Sequence, residues 1–195
     1  MKRQQLFQEI NQSLFLGRMN NRQRNGILHK LKAFDKFKVT DDRWRAYMLA
    51  TSYHETAKTM QPIEERGKGI GKPYGRKVKY NGLPYTWPDK MYYGRGDVQL
   101  TWFDNYMQMG DILGLPLLKQ PELALDPDIS AHILVEGMIL GKSSRGDFTG
   151  YSLENFFNNH RDDPLGARRI VNGLDQAPII AGYHCKFLEA IRKSS

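Results

Sequence analysis

The 195-residue chain has one cysteine, Cys185, which excludes an internal disulfide framework and any multi-cysteine metal site. It has no uninterrupted apolar run near the roughly 20 residues that a membrane-spanning helix needs. No apolar stretch of about 7–15 residues follows Lys2 and Arg3, as a secretory signal requires. These absences lead to the expectation of a soluble chain made in a reducing cytoplasm, neither inserted in a membrane nor exported by the ordinary route. Several catalytic patterns are missing too. His54-Glu55 begins like the zinc motif H-E-x-x-H, but Lys58 stands where the second histidine belongs. The five histidines, His29, His54, His132, His160 and His184, include no i, i+4 pair, so no metal is expected. Gly67, Gly69 and Gly71 lack the lysine-hydroxyl ending of a phosphate loop, and nothing resembles a nucleophile elbow. No cofactor is expected.

What remains is globular in balance, with 40% hydrophobic and 26% charged residues, and long enough to bury one core without staples. The net charge of +8 is unevenly spread. Residues 1–38 carry nine positive and two negative side chains, and residues 66–95 carry eight positive and one negative. The rest of the chain is mildly acidic, so the excess is two basic blocks. Such blocks either attract a polyanion or serve as a solvated face.

Helical patterning dominates. Leu6, Phe7, Ile10 and Leu14 share one face of an N-terminal helix, and Ile27, Leu28, Leu31 and Phe34 share one face of a second over 21–34. Thr40 or Asp41 can cap a third helix bearing Trp44, Tyr47, Met48 and Thr51, which runs into His54-Glu55 and must end before Pro62. Further helices are predicted over 101–113, from a cap at Asp128, over 153–158 from a cap at Ser152, from Pro164 through Ile170, and from Pro178 through Ile191. Residues 66–95 break this pattern, with six of the 18 glycines and three of the nine prolines. The Asn81-Gly82 turn signal there predicts a small β-hairpin. The expected architecture is one mainly α domain over 1–195 with an irregular, hairpin-bearing lobe at about 66–95.

Carboxylates are the remaining candidates for chemistry. Glu55 sits at a helix C-terminus, which disfavours negative charge and suits a proton donor. Glu64 and Glu65 lie between Pro62 and the cations Arg66 and Lys68, which would hold a carboxylate ionised, as a base requires. Two carboxyls with environments pushed apart form the glycosidase pattern. On one continuous helix Glu55 and Glu64 would be about 13.5 Å apart along the axis. An inverting pair needs roughly 6.5–9.5 Å, so the chain must leave the helix between them. Beyond them, residues 74–106 hold nine aromatics, among them Trp102. Aromatic faces stack on sugar rings, and Gln99, Asn105 and Arg95 can donate to sugar oxygens. Some of these aromatics must form the lobe's own core, and the same mixture can bind single-stranded nucleic acid.

His54-Glu55-Thr56, then Glu64, then the run from Tyr92 and Tyr93 through Gly94, Arg95, Gly96, Asp97, Val98, Gln99, Leu100 and Thr101 to Trp102, closing with Asn105 and Tyr106, resembles glycoside hydrolase family 19. That family contains chitinases and shorter bacteriophage endolysins. The segment Arg169-Ile170-Val171-Asn172-Gly173 resembles its late I-N-G element, so the likeness runs from about residue 44 to the C-terminus. The resemblance implies a lysozyme-like fold over 40–195, preceded by the basic helices of 1–38. It also implies single-step inversion, with Glu55 as general acid, Glu64 as general base and Thr101 helping to hold the attacking water. Gln99, Asn105 and Asn172 match substrate-contacting positions, as do Tyr93, Arg95 and Trp102 within the motif, with His54 beside the acid.

The chain departs from the chitinase pattern. Ala57-Lys58 replaces Gly-Gly, the plant-type cysteines are missing, and past Asn172 only Asp175 approaches the glutamate and arginine that chitinases place behind the site. Those departures, with Pro121 to Ala124 and the segment 137–150, resemble the endolysin branch. The expectation is therefore a monomeric endolysin cutting β-1,4 bonds of bacterial peptidoglycan. It would be made in the host cytoplasm and reach the wall through a holin-type membrane permeabiliser, without nucleic acid. The alternatives are a chitinase, or a non-catalytic protein that binds glycan or nucleic acid.

Overall fold

The computed structural model describes residues 2–139 and 148–195; residues 140–147, inside the segment likened above to endolysins, lie outside the described residues. Helix α1 (Arg3–Phe15) buries Leu6, Phe7, Ile10 and Leu14, as their spacing predicts. Helix α2 (Asn21–Lys36) starts at a capping box, in which the Asn20 side chain accepts the Gln23 N–H and the Gln23 side chain accepts the Asn20 N–H, both at 2.9 Å. Helix α3 (Asp42–Glu55) is capped by Asp41, whose carboxylate accepts the Arg43 N–H at 2.8 Å; Thr40 is not the cap.

Every residue of α3 from Ala46 to Tyr53 is buried. A helix buried all round sits in the middle of its fold. Here α3 packs most extensively on α6 (Ala177–Lys193), α1 also packs on α6, and α2 packs on α5 (Pro127–Ile139). Burying a side chain such as Met48 or Leu49 contributes roughly 1.5–3 kcal/mol. Most polar side chains within this buried stretch are satisfied: the Thr51 hydroxyl donates to the Tyr47 carbonyl, the Ser52 hydroxyl to Asp97 and the Tyr53 hydroxyl to the Leu14 carbonyl, whereas the buried Tyr47 hydroxyl has no hydrogen-bond partner among the described residues. Glu55 is where α3 leaves the core.

Other helices differ in detail from expectation. Asp126, not Asp128, caps α5, its Oδ1 accepting the N–H groups of Asp128 and Ile129 at 2.9 and 3.0 Å. Helix α4 (Phe103–Leu113) begins two residues later than predicted, because Trp102 has φ +72° and cannot be helical. It ends at Gly114 in the left-handed conformation. The predicted helices after Ser152 and Pro164 are short 3₁₀-helices at Leu153–Asn155 and Gly166–Ile170.

The β structure also lies elsewhere than predicted. The Asn81-Gly82 turn forms, with the Asn81 side chain accepting the Leu83 N–H, but its arms join only through an isolated bridge between Val78 and Pro84. The two-stranded sheet is instead β1 (Ile63–Glu64) antiparallel to β2 (Arg95–Gly96), pairing Ile63 with Gly96 and Glu64 with Arg95. It closes the base of the 66–95 lobe and so brings Glu64 to the glycine-rich motif.

Candidate active site

Immediately after Glu55 the chain reverses. Thr56 caps α3, its hydroxyl donating to the Ser52 carbonyl at 2.7 Å and accepting the Met60 N–H at 3.0 Å. Ala57, Lys58 and Met60 all have positive φ, a tight turn that returns the chain to β1. After β2 a second tight turn follows, closed by two backbone hydrogen bonds between Arg95 and Leu100. Gly96 is required there: a Cβ would lie 2.8 Å from the Ala124 carbonyl oxygen and 2.9 Å from Ser130 Oγ. Gln99 (φ +53°) and Trp102 (φ +72°) also hold left-handed conformations, which cost non-glycine residues about 1–3 kcal/mol each.

These two turns border a cleft of about 820 Å³. Six of the residues singled out from sequence line it: Glu55, Gln99, Thr101, Trp102, Asn105 and Asn172. Glu64, Tyr93, Arg95 and His54 are not in its lining. Gln99 links the cleft to the sheet, its side-chain amide donating to the Ile63 and Gly96 carbonyls at 3.1 and 3.2 Å. Tyr74 and Tyr80, which in the sequence are only members of an aromatic stretch, line the wall and meet Trp102 edge-on at 5.8 and 5.3 Å between ring centroids.

The two carboxyls sit in different surroundings. Glu55 is 16% exposed, and its Oε1 accepts from Nη1 of the buried Arg168 at 2.6 Å. Arg168 is held in turn by donating Nε to the Asp175 carbonyl at 2.9 Å. An arginine thus stands against Glu55, before Asn172 in the chain, and Asp175 meets it through its backbone carbonyl, not its carboxylate. The helix terminus is not the dominant charge beside Glu55, because a guanidinium stands against it. The pair fixes the carboxyl's orientation, with one oxygen committed to Arg168.

Glu64 is more open, at 36% exposure. Its Oε1 accepts the Tyr93 hydroxyl at 2.5 Å and its Oε2 lies 3.5 Å from Lys68 Nζ. The Tyr93 hydrogen bond first, then the charges of Lys68 and Arg95, hold it below the usual carboxylate range. The expected partner Arg66 makes no such contact. Glu65 is fully engaged: Tyr74 donates to Oε1 and the Gly94 N–H to Oε2, both at 2.9 Å. Of the two neighbours, Glu64 is the more open to solvent and the one with a cation to keep it ionised.

Arg95 corrects a reading from the sequence. It is buried, donating to the Met91 and Tyr93 carbonyls and to the Tyr106 hydroxyl at 3.1–3.3 Å, with its guanidinium over the Tyr93 ring. It braces the motif from inside and presents nothing to the cleft. His54 is half-buried beside Glu55, and burial draws its pKa down, with Arg168 adding to the effect. Among the described residues no group of three or more His, Cys, Asp or Glu is placed to hold a metal ion. A carboxyl inside a polar, aromatic-walled cleft can give a proton to a leaving oxygen, and an ionised carboxylate on the neighbouring β1–β2 sheet can take one from water.

Comparison with known proteins supplies the family and the fold. The family model described as chitinase class I, of glycoside hydrolase family 19, matches residues 27–138, more than half of the chain. An endochitinase of Theobroma cacao is 34% identical over 128 residues, covering 51% of this chain and 35% of its own. An endochitinase of Arabidopsis thaliana is 38% identical over 110 residues, covering 55% and 36%. The chain therefore spans about a third of the length of these curated relatives. A solved bacterial family 19 chitinase superposes with a TM-score of 0.61 at 21% identity, over 97% of this chain and 93% of its own. A class IV chitinase from Zea mays does so with 0.58 at 19%, over 96% and 90%. At these identities the likeness is one of fold, and the fold is the mainly helical one expected.

Proposed function

The chain belongs to glycoside hydrolase family 19, and from that membership we propose that it hydrolyses β-1,4 bonds in glycans containing N-acetylglucosamine by single-step inversion. The observation that carries the reading is Glu55, lodged in the cleft with one oxygen on Arg168 while Gln99, Thr101, Asn105 and Asn172 surround the same space. In this mechanism Glu55 protonates the glycosidic oxygen as the bond to the anomeric carbon breaks. Glu64, held ionised by Tyr93 and Lys68, takes a proton from the water that attacks the opposite face. Thr101 and the side-chain amides orient that water and the sugar's acetamido groups. Water loses one proton to Glu64 and Glu55 gives one to the leaving sugar, so the step balances.

For the substrate we infer bacterial peptidoglycan. The support is electrostatic: seventeen of the 29 cationic side chains fall in 1–38 and 66–95, and the second block borders the cleft through Tyr74, Tyr80 and Asn81. A positive field of this kind concentrates an enzyme on an anionic wall. With this reading goes an endolysin's route, a monomer made in a bacterial cytoplasm and reaching the wall through a holin-type permeabiliser. Chitin is the second reading, favoured by identity to plant endochitinases. Digestion of purified peptidoglycan beside colloidal chitin, with mass spectrometry of the new reducing ends, separates the two. Muropeptides with new reducing ends are expected; products from chitin alone would replace the endolysin reading with the second.

A further inference from the structure

Beneath the cleft lies a buried ion pair that the reaction does not use. Lys30 on α2 and Asp97 in the motif turn are 1% and 0% exposed, with Nζ 2.8 Å from Oδ1. All three ammonium donors are placed: besides Asp97 they face the carbonyls of Gly26 at 3.3 Å and Met60 at 3.1 Å. Asp97 Oδ1 also accepts the Ser52 hydroxyl and Oδ2 the Ser130 hydroxyl, both at 2.9 Å, while the Asp97 N–H donates to Ser130 Oγ at 2.8 Å. The approach is close as well as directional. A Cβ on Gly26 would lie 1.8 Å from the Met60 carbonyl oxygen, so only glycine lets α2 meet that segment.

The positions of these partners matter more than their number. Ser52 lies on α3 one turn before Glu55. Met60 ends the turn that follows Glu55. Asp97 precedes Gln99 by two residues and Thr101 by four, in a turn that already holds Gln99 at positive φ. One buried hub therefore grips the cleft on the side of Glu55 and on the side of Gln99 and Thr101. An apolar cluster of equal volume would stabilise the fold as well or better, since buried ion pairs are weak stabilisers, but it would not fix direction.

We propose that Lys30 and Asp97 are positioning residues, setting Glu55 in register with Gln99 and Thr101 through Ser52, Met60 and Ser130. The proposal rests on the hydrolase reading for its activity test. Lys30→Met and Asp97→Asn each leave a buried charge unpaired, and both lower Tm and kcat. The double variant Lys30→Met/Asp97→Leu removes both charges; its Tm recovers toward the parent value, while kcat stays about tenfold or more down with KM little changed, because small misplacements in a reacting site are costly. Full recovery of kcat with Tm would show a merely structural pair and overturn the proposal.

Ser52→Ala and Ser130→Ala are milder and keep the ion pair. Each is expected to lower kcat severalfold, and unchanged kcat in both would also overturn it. Amide and side-chain NMR shifts of Gln99 and Thr101 in the serine variants give a readout that needs no substrate. Shifts that move as the hub is loosened support positioning, and shifts that stay fixed contradict it, whether or not the protein cleaves N-acetylglucosamine hexamer or peptidoglycan.

Discussion

Glu55 and Glu64 come from opposite kinds of structure. Glu55 ends the helix at the centre of the fold, with core residues on every side for two turns before it and a buried arginine against its carboxyl. Glu64 sits on a two-residue strand at the base of the 66–95 lobe, which leaves Ile70, Tyr80, Leu83 and Trp87 between 60% and 86% exposed. In the proposed mechanism, the carboxyl that is aimed at the scissile oxygen is carried by the buried body of the fold. The carboxylate that is to meet water would be carried by the more exposed edge, where the Tyr93 hydroxyl and Lys68 help to hold it charged. The contrast implies that damage on the body side reaches the fold as well as the chemistry, while damage at the exposed positions of the lobe changes chemistry and binding more than stability.

The largest expected effect breaks the body side. Glu55→Gln keeps the shape and loses the transferable proton, so hydrolysis should fall by about 10²–10⁴-fold. Turnover of wall or chitin close to the parent rate would remove Glu55 from its role. A smaller effect sharpens the lobe side. Tyr93→Phe removes the main group holding Glu64 below the usual carboxylate range. A base works only when ionised, so activity is lost as pH falls through its pKa. Without the Tyr93 hydroxyl that acid limb moves to higher pH, and a pH profile of kcat/KM with an unmoved acid limb would dissociate Glu64 from the base.

How much of this is legible in the sequence follows the same division. Helices α1, α2, α3 and α6 can be read because apolar residues recur at helical spacing, in two of them behind recognisable starts, Asp41 and Pro178. Strands β1 and β2 cannot, since two residues carry no alternation. The Asn81-Gly82 signal is real, but the turn closes onto a single bridge beside Pro84, and the pairing partner of Glu64 lies far along the chain. Long separation also hides Arg168, which meets Glu55 across 113 residues. Its neighbourhood to Asn172 was the available signal. Arg95 shows the converse: a cation among aromatics looks like a sugar donor, yet its partners are the carbonyls and rings of its own motif. Spacing identifies which residues share a helix face; it does not tell which way a side chain turns in a loop.

The smallest predicted effect concerns the lobe's charge. Lys72, Arg76 and Lys90 are exposed, so replacing all three by alanine should change stability by no more than about 0.5 kcal/mol per site. Binding to purified wall should weaken and its salt dependence flatten, as screening of an exposed field requires. Wall binding that is unchanged at low salt would assign the basic block to solvation rather than to targeting.

The pairing of an aimed acid with a water-facing base is tested most directly by the stereochemistry of the first product. Proton NMR of the glycan during the opening minutes of cleavage reports the anomer before it equilibrates. Direct attack by a Glu64-activated water on a β-linked sugar yields the α-anomer first. A β-anomer appearing first would require a covalent or substrate-assisted intermediate and would contradict the account.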